Sequence, residues 1–109
     1  MLPYIIAVDF DGTLCESNWP DLGIPNLELI RYLKDERHRG TRLILWTCRT
    51  GDRLEVAVNW CQQHGLQFDA VNENLPEVIS YFGRDSRKIF AHEYIDDYAR
   101  KPFWEGGSL

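Results

Sequence analysis

Asp9 and Asp11, Thr47 and Arg49, and Asp96 and Asp97 each follow an apolar run, and this spacing suits chemistry more than packing. Asp9 and Asp11 lie two residues apart, so an extended backbone would turn both carboxylates to one side. Two like charges that close repel. A cation between them, or a proton on one of them, relieves the repulsion, and either condition belongs to a reactive site. The plain alternative is a turn, since Asp-Gly after an apolar strand supplies a positive φ and a local side-chain bond. The other acidic and hydroxyl groups favour the chemical reading. A set of hard oxygen donors suits magnesium, which keeps waters in its shell and bridges to phosphate. Beside such an ion a carboxylate could attack phosphorus and form an acyl phosphate, splitting one difficult displacement into two easier ones. Asp11 could protonate the leaving oxygen and later activate water.

These residues need elements to bring them together. Ile5-Ile6-Ala7-Val8 is a continuous apolar run, which predicts a strand covered on both faces. Leu14 to Pro25 reads as a loop. A helix is expected from Pro25-Asn26 to about Arg39, with Leu27, Ile30, Leu33 and Leu29 as its inner stripe and Gly40 as its stop. Arg42 to Thr47 reads as a second buried strand. A second helix is expected from about Asp52 to His64, where Asp52 and Glu55 have capping-box spacing and Leu54, Ala57, Val58 and Cys61 share a face. Phe68 to Val71 reads as a third strand, Pro76 to about Phe82 as a short helix, and Lys88 to Ile95 as carrying at least one further strand. Alternation of this kind predicts an α/β fold: a Rossmann-like parallel sheet with helices on both faces and right-handed crossovers. Ligands of such sheets bind at the carboxyl ends of the strands. All three polar pairs should therefore converge on one edge.

The bounds agree with a single domain over residues 1–109. An apolar fraction of 44% excludes a disordered chain, and no apolar run is long enough to span a bilayer, so no membrane partner is expected. Cys15, Cys48 and Cys61 form no CxxC pair, and no signal-like segment precedes the first strand, which together point to reduced thiols and a cytoplasmic location. A net charge of -5 disfavours a nucleic-acid coat, leaving nucleic acid possible only as a substrate.

In order along the chain, Asp9-Phe10-Asp11-Gly12-Thr13, Thr47, Lys88 and Asp96-Asp97 resemble the four motifs of the haloacid dehalogenase superfamily of phosphohydrolases. The resemblance covers about Ile5 to Tyr98 and implies a magnesium-dependent phosphatase. It implies that Asp9 is the nucleophile, that Asp9, Asp96 and the Asp11 backbone carbonyl bind magnesium with Asp97 nearby, that Asp11 is the acid and base, that Thr47 donates to the phosphoryl group, and that Lys88 balances charge there. Arg49 is expected either to grip substrate phosphate or to neutralise an acidic rim. Trp19, in the loop after the nucleophile, could face substrate. Many members carry an inserted cap domain, and here no interval has room for one, so a small capless member with an open site is expected. Such a site accepts a phosphometabolite or a nucleotide or nucleic-acid phosphate end, and a homo-oligomer could close it. The competing reading is a phospho-accepting or inactive regulatory domain that keeps the motifs, binding a partner through Phe103-Trp104.

Overall fold

The computed structural model describes residues 1–103, so Trp104 of that aromatic pair lies outside the described residues. The elements run β1 (Ile5–Val8), α1 (Leu27–His38), β2 (Arg42–Leu45), α2 (Gly51–Gln63), β3 (Ala70–Val71), α3 (Pro76–Phe82) and β4 (Glu93–Ile95). The strands form one parallel sheet in the order β3-β2-β1-β4. This is the expected Rossmann-like architecture.

The continuous apolar run of β1 is explained by its place in the middle of the sheet, where alternate residues serve opposite faces. Ile6 and Val8 point into a core shared with Ile30 and Leu33 of α1 and Ala57, Trp60 and Cys61 of α2. Ile5 and Ala7 point the other way, into a second core with Val78 of α3, Leu75, Ile89 and Ala91. The chain steps outward from β1 through β2 to β3 and then crosses back to β4. A constant hand of crossover puts the returning helix on the opposite face, which is where α3 packs. Each fully buried Ile or Leu in these two cores contributes roughly 1.5–3 kcal/mol.

Several local expectations change. Leu27 is exposed rather than inward, because the Asn26 side chain caps α1 through the Leu29 amide and leaves Leu27 on the solvent side of the first turn, while Leu29 packs against the core. Thr50, not Asp52, occupies the N-cap of α2, and Asp52 sits within the first turn, where its charge suits the helix dipole. Strand β3 is shorter than Phe68 to Val71 because side chains replace ladder partners at both ends. The Asp69 carboxylate accepts the Leu43 amide at 2.8 Å, and the Asn72 side chain accepts the Thr47 amide at 2.8 Å. β4 is likewise confined to Glu93–Ile95. Ahead of it Asn74 accepts the Phe90 amide (2.7 Å), the Tyr94 hydroxyl accepts the Ala91 amide (3.1 Å), and His92 Nδ1 accepts the Ile5 amide (3.0 Å). Among the described residues no helix is long and apolar enough to cross a membrane.

Candidate active site

The site forms where β1 runs out of the sheet. The ladder persists one residue beyond the strand: the Asp9 amide donates to the Ile95 carbonyl at 2.9 Å, and the Trp46 amide donates to the Val8 carbonyl at 2.9 Å. Asp9 is therefore flanked on one side by the chain leading to Thr47 and on the other by the chain leading to Asp96. Beyond it the backbone turns sharply, with the Phe10 carbonyl accepting the amides of Thr13 (3.2 Å) and Leu14 (2.9 Å). Gly12 makes the turn at φ +79°, and a Cβ there would stand 2.3 Å from Asp97 Oδ2. Only glycine lets the Asp97 carboxylate come this close.

Asp9, Asp96 and Asp97 each present a carboxylate oxygen within 4.8 Å of the others. Burial pushes the Asp9 carboxyl up to about 6; the hydrogen bond from the Phe10 backbone opposes this, and the charges of Asp96 and Asp97 add to it. All three donors are hard oxygens, and a divalent cation among them would relieve the repulsion that raises Asp9, so the residues fit magnesium. Thr13 braces the cluster: its hydroxyl donates to Asp9 Oδ2 at 3.4 Å and accepts the Asp97 amide at 3.1 Å. Within the motif Thr13 has no role that the sequence alone assigns. Its place two residues after Asp11 was the available signal.

Asp11 stands apart from this trio. Its carboxylate is held in a bidentate fork by Arg49, with Nε at 2.8 Å from Oδ2 and Nη2 at 2.7 Å from Oδ1. The remaining N–H groups of Arg49 donate to the carbonyls of Asp21 (2.8 Å), Arg53 (3.3 Å) and Pro20 (3.4 Å). A guanidinium has five donors, and these bonds use every one. Arg49 is also only 1% exposed, with its Cζ 4.9 Å from the centre of the Phe10 ring and 5.0 Å from that of Trp19. It has no N–H left for a phosphate. The phosphate-gripping expectation thus gives way to the neutralising one, and the arginine serves to orient Asp11 and to tie down the loop at Pro20 and Asp21.

Thr47 accepts the Arg49 amide at 3.1 Å on its hydroxyl oxygen, which leaves the hydroxyl hydrogen free to donate. Its own amide is held by Asn72, which adopts a left-handed φ of 55° to end β3. Lys88 is not brought to the carboxylates. Its ammonium lies 5.3 Å from the centre of the Tyr94 ring, in a neighbouring groove of about 710 Å³ that also includes Phe82 and Phe90. Among the described residues it forms no ion pair. Trp19, by contrast, lines a cleft of about 280 Å³ together with Asp11, Asp97, Cys48 and Tyr98.

No family model matches the chain, and no curated protein does. A solved structure described as that of a conserved protein from Bacteroides thetaiotaomicron is similar to it at 41% identity and a TM-score of 0.77, over 87% of this chain and 76% of the other.

Proposed function

We propose that this chain, which belongs to the same family as the conserved Bacteroides thetaiotaomicron protein, is a magnesium-dependent phosphomonoester hydrolase of the haloacid dehalogenase type, working through an aspartyl phosphate on Asp9. The observation that supports this most is the meeting of Asp9, Asp96 and Asp97 oxygens within 4.8 Å at the carboxyl edge of the sheet. In this reading Asp9, Asp96 and Asp97, with the Asp11 carbonyl that the resemblance adds, hold magnesium. The ion supplies charge neutralisation, so that a carboxylate and a phosphate dianion can approach each other.

Asp9 attacks phosphorus, the ester P–O bond breaks, and the leaving oxygen takes a proton from Asp11. Water then attacks the phosphorus, gives a proton to Asp11, and releases Asp9 and inorganic phosphate. The Arg49 fork places Asp11 for this role, and the carboxyl must loosen from that bidentate pair to carry the proton, since a guanidinium fork binds the carboxylate rather than the acid. The free Thr47 hydroxyl hydrogen is available to the phosphoryl oxygens. Lys88 rests on the Tyr94 ring and would have to leave it to balance charge there.

Release of phosphate from p-nitrophenyl phosphate tests the reading. Activity is expected with magnesium, is lost on chelation, and falls to background in Asp9→Asn, whose circular dichroism stays that of the wild type. Full activity in that variant would sink the proposal.

A further inference from the structure

We infer that Trp19 and Tyr98 form an aromatic clamp for the leaving group, so that the preferred substrates are phosphomonoesters of a flat π-bearing alcohol, such as a nucleoside or an aryl alcohol. The inference rests on the phosphatase reading and names the substrate class of that same site.

Position comes first. Trp19 and Tyr98 line one cleft with Asp11 and Asp97. A leaving oxygen must lie within hydrogen-bond reach of Asp11 to be protonated, roughly 3 Å. The cleft that these two rings line opens beside Asp11, so it is space available to whatever is attached to that oxygen. Both are open to it, Trp19 being 59% exposed and Tyr98 92%.

The Trp19 wall is also held in place. Its indole lies against the Arg49 guanidinium at 5.0 Å, and that guanidinium is fixed by Asp11 and by the Pro20, Asp21 and Arg53 carbonyls. An indole that served only to fill the core would be buried; this one is supported from beneath and bare on top. Tyr98 is anchored through its backbone, since its amide donates to Asp96 Oδ1 at 2.9 Å. The Trp19 wall is thus a platform built before any ligand arrives, which reduces the ordering cost of binding on that side, while the Tyr98 ring must still be ordered over the ligand.

Charge narrows the class. The cleft holds Asp11 and Asp97, its one arginine is spent, and the chain carries a net charge of -5. A second anionic group on the leaving side would be repelled, whereas a neutral planar ring can stack on the exposed face of Trp19 with Tyr98 free to close on it.

Equilibrium binding to Asp9→Asn protein in magnesium, by calorimetry, separates this inference from turnover. The probes are adenosine 5'-monophosphate, phenyl phosphate and glycerol 3-phosphate. Base stacking on an aromatic side chain predicts that at least one aromatic ester binds about tenfold or more tighter than glycerol 3-phosphate. That ratio should collapse towards one in Trp19→Ala and be restored in Trp19→Phe, with Tyr98→Ala lowering it in part. A tighter nucleotide assigns a nucleoside leaving group, and a tighter phenyl phosphate assigns an aryl one. A ratio near one in the Asp9→Asn protein, or a ratio untouched by both alanine variants, overturns the clamp while leaving the phosphatase reading intact. Failure of all three esters to bind also overturns the clamp, while the phosphatase reading stands or falls on phosphate release by the wild-type protein.

Discussion

Arg49 is the residue on which most of the site's order depends. It is a buried cation whose every donor is used, and its partner carboxylate belongs to the residue assigned the proton-transfer role. Removing one partner of a buried pair leaves the other charged and unpaired, at a cost of about 3–5 kcal/mol. Arg49→Ala is expected to lower stability by about that amount in urea denaturation, because it also frees the Pro20, Asp21 and Arg53 carbonyls. A lysine at this position could not reproduce the planar fork. Any Arg49→Lys protein that folds is therefore expected to lose kcat more than KM, read in the phosphate-release assay. The sequence made Asp9, Asp96 and Asp97 legible as a group, since each follows an apolar strand in a parallel sheet. It did not disclose that Asp11 and Arg49 pair with each other, because that contact spans 38 positions and two different strand ends.

At the scale of elements, Asp69 clasps β2, β3 and α1. It accepts the Leu43 amide at 2.8 Å and pairs with Arg37 at 3.0 Å and Arg42 at 3.4 Å. Burial alone would raise its carboxyl, but the Leu43 amide and the two guanidinium groups outweigh it and hold the group below the ordinary 3.8. A carboxyl lowered in the folded state stabilises at pH values above its unfolded pKa, and that contribution is lost as pH falls through the folded one. Asp69→Ala is expected to cost about 2 kcal/mol at pH 7, with the gap to wild type narrowing below pH 4 in thermal melts. The clasp also explains which elements could be read in advance. β1 and β2 are bounded by their own apolar runs. β3 and β4 are bounded by side chains of Asp69, Asn72, Asn74, His92 and Tyr94 that stand in for strand partners, and such long-range substitutions leave no local pattern. The outward turn of Leu27 was hidden for a related reason, since one capping bond from Asn26 fixes where α1 begins.

For the molecule as a whole, Asp9 and Asp69 pull stability in opposite directions with pH. Asp9 titrates at about 6 in the fold against an ordinary 3.8. Its ionisation therefore disfavours the folded state, and stability recovers as pH falls from above 6 towards 3.8. Below that, the loss at Asp69 takes over. Metal-free protein is expected to melt at its highest temperature between these limits. The neutral-side penalty is about 1 kcal/mol once solvent screening at this half-exposed group is allowed for. Thermal melts in chelator from pH 4 to 8 check this; Asp9→Asn should flatten the neutral limb, and magnesium should raise it by mass action. The strand order has a further consequence, for the time course of folding. β1 lies between β2 and β4, so the central strand stays open along one side until residues 93–95 dock on it. Residues 9 and 96 are thus the two ends of a loop containing most of the described residues, and closing so non-local a contact is expected to come late in folding. A half-made chain could bury the apolar stripe of its first helices yet would own no complete trio of carboxylates. The hydrolytic chemistry proposed for this protein would switch on only once β4 has docked.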